Sequence, residues 1–342
     1  MATIHKNISL RRYNSFGIDA RADLLVEWNS VEDLADFIAA NRQLFAPESR
    51  WDILGAGCNT LFATDYKGTL LHSTAKGIEV VSSNDQQVVI RAYAGELWDD
   101  VVAWSVERGL WGMENLSAIP SSVGASAVQN IGAYGAEAKD CIVEVECLDV
   151  ATLQKVVIPA SECAFGYRES IFKEALKGKV IITAVLYRLG TSGTPRLDYG
   201  SLRPEVEKLG TPTPANIRKA VVAIRDSKLP NPEVVGNAGS FFKNPVLPRA
   251  QVEALKAQYP TMPVYEVADS PEVLKIATGW IIDTLGWKGK GMGNAGVHDK
   301  QALVLVNRGG ATGPEVVALA EEICRQVKEK FGVEISPEVN IL

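Results

Sequence analysis

Between Asn115 and Ala136 the chain carries no charged residue and is crowded with Gly, Ala and Ser. So little side chain cannot form a core of its own, so this stretch must pack against other elements or against a ligand. Within it, Ile119-Pro120-Ser121-Ser122-Val123-Gly124-Ala125 runs on to Gln129-Asn130-Ile131-Gly132-Ala133-Tyr134-Gly135. Small residues let the backbone approach a planar or phosphorylated ligand, whose oxygens the amides can bind without a formal charge. A buried packing segment is the alternative. A second such turn, Gly55-Ala56-Gly57-Cys58-Asn59-Thr60, follows the apolar run Trp51 to Leu54, which reads as a short buried strand. Its N–H groups suit a phosphate nest. It lacks the third glycine of G-x-G-x-x-G, so taken alone a structural turn is the better reading. Two loops of this kind in one chain favour a dinucleotide cofactor and leave nicotinamide and flavin undistinguished.

The rest of the chain bounds that reading. A length of 342 residues, 46% hydrophobic and 22% charged, fits two or three globular domains. No stretch approaches the roughly 20 continuous apolar residues of a membrane span, and the N-terminus has no apolar signal region. A cytoplasmic protein is expected. Five scattered cysteines without a C-x-x-C pair, and only three histidines, argue against a metal site or a disulfide framework. A net charge of −6 argues against a nucleic-acid surface, while an anionic small ligand remains open wherever basic residues cluster.

Several elements announce themselves. Ser30 caps a helix with Val31, Leu34, Ala35 and Ile38 at helical spacing. Thr69 to His72 and Val88 to Ala94 are strand candidates, and Leu97 to Arg108 reads as a helix. Such mixing means α/β or α+β. A helix from about Pro214 to Ser227 is ended by Leu229-Pro230-Asn231-Pro232, a hinge into a further domain. Ser270-Pro271 opens a predicted helix with Leu274, Ala277, Ile281 and Leu285 on one face. Ala302 to Asn307 is a strand. The helix after it has Pro314 in its first turn and Gly332 past its end. A final strand is expected around Val339 to Leu342.

Gly236-Asn237-Ala238-Gly239-Ser240-Phe241-Phe242-Lys243-Asn244-Pro245 suits a serine presented on a turn, with Lys243 placed to meet a phosphate or carboxylate. A plain loop entering a domain is the alternative. Arg168 in Gly166-Tyr167-Arg168-Glu169-Ser170 and Glu338 in Ser336-Pro337-Glu338-Val339 are unremarkable alone. Arg225 and Lys228, three apart on one helix face, suit phosphates or merely a solvated basic face.

Together with Tyr13-Asn14-Ser15-Phe16-Gly17, these segments in this order resemble the UDP-N-acetylenolpyruvoylglucosamine reductase family of peptidoglycan precursor synthesis. The strings GNAGSFFKNP and IPSSVGASAVQNIGAYG are the most specific. The resemblance implies an α+β chain whose FAD-binding part, of the vanillyl-alcohol-oxidase type, comprises 1–77 and 78–229. The C-terminal strand 332–342 would return to the latter, and 230–331 would bind substrate. It implies noncovalent FAD, reduced by NADPH, and a UDP-N-acetylglucosamine enolpyruvate substrate. FAD would be held by Gly55 to Thr60, Ile119 to Gly124, Gln129, Asn130, Gly132, Ala133 and Arg225. Tyr134, Tyr199, Lys228, Asn244 and Gln301 would contact substrate, Tyr199 from the type I branch's loop Arg196 to Leu202. Arg168, Glu338 and Ser240 would be catalytic, Ser240 as proton donor. A monomer with no metal, nucleic acid or membrane partner is expected. Two departures stand out, Asn340 where the family often has arginine and Ser121-Ser122 where many relatives have a glycine. The rivals are another flavin oxidoreductase of this fold and a non-catalytic UDP-sugar-binding protein.

Overall fold

The computed structural model describes residues 1–267 and 270–342. The chain forms two compact units. One comprises Met1–Ile8, Ala22–Ala56 and Lys67–Ser227, the other Ser9–Arg21, Gly57–Tyr66 and Lys228–Leu342.

The first unit is built on two sheets. One has the order Thr3–Ser9, Arg21–Trp28, Tyr66–Ser73, Trp51–Leu54, its last two strands parallel with Trp51 opposite Thr69. The helix Val31–Ala40 starts where expected, Ser30 Oγ accepting the Asp33 N–H at 3.1 Å, and buries Leu34, Phe37 and Ile38. The other sheet is antiparallel, in the order Lys155–Pro159, Ile142–Asp149, Val180–Gly190, Gln87–Tyr93, Ile78–Ser83. Its central strand is buried over eight successive residues, which is why Val180 to Tyr187 reads as a nearly continuous apolar run rather than an alternating one.

Part of the uncharged stretch is a short helix, Val123–Gln129, laid on that strand. The Ser126 and Tyr187 hydroxyls meet at 2.9 Å. A side chain on Gly124 would bring its Cβ to 3.2 Å from Ala94 Cβ, so the glycine lets the helix sit close to the strand Gln87–Tyr93. The packing reading is therefore realised in the helix, and the ligand reading stays an expectation for the loops on either side.

In the second unit a four-stranded antiparallel sheet has the order Gly236–Ser240, Val304–Asn307, Ala295–Val297, Gly291–Met292. The helix Gly313–Phe331 begins at a reciprocal Thr312–Glu315 capping box and stops at Gly332, whose φ of +64° suits a residue without Cβ. Tyr13 to Gly17 acts as a clasp. Ser15 exchanges backbone hydrogen bonds with Gly57 and Asn237, and Gly57 cannot take a side chain because its Cβ would lie 1.9 Å from the Tyr13 carbonyl oxygen.

Two expectations need correction. Val273–Ile276 is a strand between Val246–Pro248 and Val264–Glu266, and the helix begins only at Thr278. Leu274 and Ile276 are buried at a spacing of two, the strand period, which the helical spacing of Leu274, Ala277 and Ile281 had masked. The C-terminal strand, Asn340–Ile341, does not return to 78–229. It pairs in parallel with Thr60–Leu61, extending the cofactor-type turn. The class is α+β, and among the described residues no helix is long and apolar enough to cross a membrane.

Candidate active site

Arg168 lies at the third position of a tight turn closed by reciprocal backbone bonds between Gly166 and Glu169, at 3.0 and 3.2 Å. Its φ is +59°, a conformation that costs a side-chain-bearing residue energy and is kept only where neighbours impose it. The neighbours are plain to see. Arg168 Nη2 donates to the Gly132 carbonyl at 2.9 Å, Lys173 Nζ to the Arg168 carbonyl at 3.0 Å, and Asn130 Nδ2 to the Gly166 carbonyl at 2.8 Å. A Cβ on Gly132 would stand 3.0 Å from the Ala136 carbonyl oxygen and 3.1 Å from Arg168 Nη1, so glycine relieves crowding there. Asn130 and Tyr134 are also left-handed, at +42° and +48°. Three of the seven side-chain-bearing residues at positive φ among the described residues are thus ones that the resemblance selects, and Gln129 is tied to them through Lys173 Nζ at 3.3 Å.

Tyr134 faces the loop Arg196 to Leu202, which the resemblance implies is a lid over the substrate. Asn115, buried, gives one Nδ2 bond to the Tyr134 carbonyl and one to the Arg196 carbonyl, both at 2.8 Å. Leu197 and Leu202 anchor the two ends of the lid loop in a small core with Ile217, Val221 and Ile224 of the helix Pro214–Lys228. Tyr199, between those anchors, stays 52% exposed and meets the Tyr134 ring edge-on at 6.0 Å. A loop held at both ends with an aromatic at its tip can cover a ligand. Burial pushes the Tyr134 phenol up, against the pull of the Arg225 charge.

Within this unit two of the segments expected to hold a cofactor, at Gly55 and at Ser122, lie against each other. Ser122 caps the helix Val123–Gln129 by accepting the Ala125 N–H, and a Cβ on Gly55 would come within 2.7 Å of Ser122 Oγ. Ser122 therefore occupies the space that Gly55 leaves free. Arg225 is half-buried, its Nε donating to the Ala118 carbonyl at 3.1 Å just before Ile119. Burial lowers its pKa, and the nearby Tyr134, Asp99 and Asp226 work against that. A cation partly withdrawn from water beside glycine-rich backbone fits a pyrophosphate.

In the second unit Ser240 sits on a β-bulge. Asn237 pairs with Val306 and Ser240 with Val304, so the two residues between them, Ala238 and Gly239, oppose the single Leu305. Gly239, φ +68°, makes the bulge possible, and the Asn237 side chain holds it by accepting the Gly239 N–H at 2.9 Å. Phe241 and Phe242 are fully buried behind an exposed Ser240. Sequence reading expected a turn; the presenting device is a bulge. Glu338 is brought to this strand by its backbone, its N–H donating to the Phe241 carbonyl at 2.7 Å. Asn59 Nδ2 donates to the Glu338 carbonyl at 3.2 Å, and Asn340 N–H and Nδ2 return to the Asn59 carbonyl at 3.0 and 3.3 Å. Asn340 thus stitches the tail to the turn. Asn244 and Gln301 spend their carbonyls on the Thr278 and Leu303 N–H groups, and Lys228 is exposed at its helix end. The residues to which sequence reading gave no role are Asn115 and Ser15, whose bonds are to backbone groups far along the chain, and Lys173, which bonds to the Arg168 carbonyl and to the side chain of the distant Gln129.

Comparison with known proteins gives this site its class. A family model for an FAD binding domain matches residues 22–152. The chain is a flavin-dependent oxidoreductase with FAD as its cofactor. A second model, UDP-N-acetylenolpyruvoylglucosamine reductase, C-terminal domain, matches 231–342. UDP-N-acetylenolpyruvoylglucosamine reductase of Bacteroides fragilis strain YCH46 is 49% identical over 99% of this chain and all of its own length. That of Chromobacterium violaceum is 44% identical over 98% of each. The crystal structure of the Thermus caldophilus enzyme shares the fold, with a TM-score of 0.67 at 22% identity and coverage of 100% and 99%. The chain belongs to the UDP-N-acetylenolpyruvoylglucosamine reductase family, whose reaction serves UDP-N-acetylmuramate synthesis.

Proposed function

We propose that the chain reduces the enolpyruvyl group of UDP-N-acetylglucosamine enolpyruvate, with Ser240 as the proton donor. The observation that carries this reading is the exposed Ser240 on its bulge, one residue from the carbonyl that binds the Glu338 backbone. FAD, when bound, takes electrons from NADPH and supplies hydride to the methylene carbon of the enolpyruvyl ether. Negative charge then develops on the adjacent carbon and its carboxylate. Arg168 opposes that charge with its guanidinium, and Glu338 does so only while it carries a proton, because a bare carboxylate would repel it. Ser240 gives its proton to the carbon, and Lys243, acting through water, offsets the weak acidity of the hydroxyl. Tyr199 closes over the UDP group, with Tyr134, Lys228, Asn244 and Gln301 also on the substrate. Gly55 to Thr60, Ile119 to Gly124, Gln129, Asn130, Gly132, Ala133 and Arg225 hold FAD. The flavin is bound noncovalently, since burial pushes the Cys58 thiol up to about 11 and keeps it protonated at neutral pH. In this reading 1–77 and 78–229 carry the flavin, 230–331 the UDP-sugar, and the enzyme is a cytoplasmic monomer.

The test is to assay the purified yellow protein with NADPH, with and without the enolpyruvyl substrate. Rapid NADPH oxidation only when substrate is present, and yellow colour released on acid precipitation, are the expected results. NADPH oxidation that is indifferent to the substrate would overturn the reading.

A further inference from the structure

We propose that Asp99 is a positioning residue for the cofactor: it holds Ala118 in the left-handed conformation that sets the course of Ile119–Ser122. This rests on the reading above that Ile119–Ser122 cradles FAD. Ala118 has φ +58° although it carries a Cβ, so its neighbours must impose the conformation. Both of its backbone polar groups are gripped by charged side chains. Asp99 Oδ1 accepts the Ala118 N–H at 2.6 Å, and Arg225 Nε donates to the Ala118 carbonyl at 3.1 Å. Asp99 is itself fixed by a two-pronged bond from Arg218, Nη1 to Oδ1 at 2.5 Å and Nη2 to Oδ2 at 2.8 Å. The preceding residue adds two more points. Trp98 N–H donates to the Ser121 carbonyl and Trp98 Nε1 to the Leu116 carbonyl, each at 2.9 Å. The first turn of the helix Trp98–Glu107 therefore grips the loop at 116, 118 and 121.

The charge of Asp99 makes the idea decidable. A carboxylate whose only effect were electrostatic would disfavour an anionic pyrophosphate nearby, and its removal would tighten FAD. A carboxylate that shapes the loop has the opposite sign, because its removal leaves the loop to be ordered at the expense of binding.

The experiment titrates each apoprotein with FAD and follows the flavin fluorescence. Asp99→Asn, which removes the charge, and Asp99→Glu, which keeps it at the wrong reach, should each weaken FAD about tenfold or more. Asp99→Ala should be partly rescued by adding Ala118→Gly, since glycine adopts this φ without being held. A merely structural role for Asp99 would give no such rescue. Unchanged or tighter FAD binding in the folded Asn and Glu variants, or a double variant no better than Asp99→Ala alone, would overturn the proposal. Pro120→Asp, on the exposed part of the loop, keeps the two readings apart. If it weakens FAD while the Asp99 variants do not, Asp99 alone has been misread. If it leaves FAD affinity unchanged, the loop does not cradle the cofactor.

Discussion

The turn that carries Arg168 is held by side chains, whereas the strand that carries Ser240 is held by backbone pairing and two buried rings. Around Arg168, Asn130 and Lys173 bond to main-chain carbonyls, and three side-chain-bearing residues sit at positive φ. Around Ser240 the positive φ belongs to Gly239, which adopts it freely, and Phe241 and Phe242 supply the anchorage. The difference teaches where each region is vulnerable. The arginine turn stores strain that its neighbours offset, so a change there disturbs both stability and chemistry. The serine bulge is stable without its hydroxyl, so a change there reaches chemistry alone.

The largest expected effect tests the second half of that contrast. Ser240→Ala should leave flavin reduction by NADPH near normal in stopped-flow measurements, and slow reoxidation by the enolpyruvyl substrate by about 10²–10⁴. Its unfolding free energy should stay within about 0.5 kcal/mol of the parent. Glu338→Gln should likewise spare the first half-reaction and slow the second. If Ser240→Ala blocks reduction by NADPH and spares the substrate step, Ser240 belongs to the NADPH pocket.

Arg168 probes the first half. Arg168→Ala and Arg168→Gly should both lose the substrate step by about 10²-fold or more, as when a preorganised charge-stabilising donor is removed. In denaturant titrations the glycine variant should be more stable than the alanine variant by about 1 kcal/mol, because glycine alone escapes the cost of φ +59°. Equal stabilities would mean that the turn is not strained, and the contrast with the bulge would fall.

Tyr199→Ala is the mildest. Its ring is half-exposed and the loop keeps Leu197 and Leu202 as anchors, so the fold should not notice. Substrate KM should rise by an amount equivalent to about 1–2 kcal/mol while the KM for NADPH holds. A raised KM for NADPH beside an unchanged substrate KM would reassign the loop.

By itself the sequence determined what is local. The cap at Ser30, Pro314 in the first turn of the last helix, its stop at Gly332 and the helix before the proline pair follow from short-range rules that neighbours cannot easily override. Two small-residue loops and the Ser240 string stood out as candidates for chemistry, because glycine lets the backbone approach a ligand closely. Only the tertiary structure decided how those pieces are held. Val273–Ile276 became a strand because two partner strands were available to pair with it, and the helix after it starts where Asn244, from far up the chain, accepts the Thr278 N–H. The C-terminal strand chose Thr60–Leu61, and Ala118 and Arg168 took positive φ against their own preference. In each case the deciding energy is a hydrogen bond to a backbone group remote in sequence. Such bonds leave no periodicity, and so no mark in the order of residues.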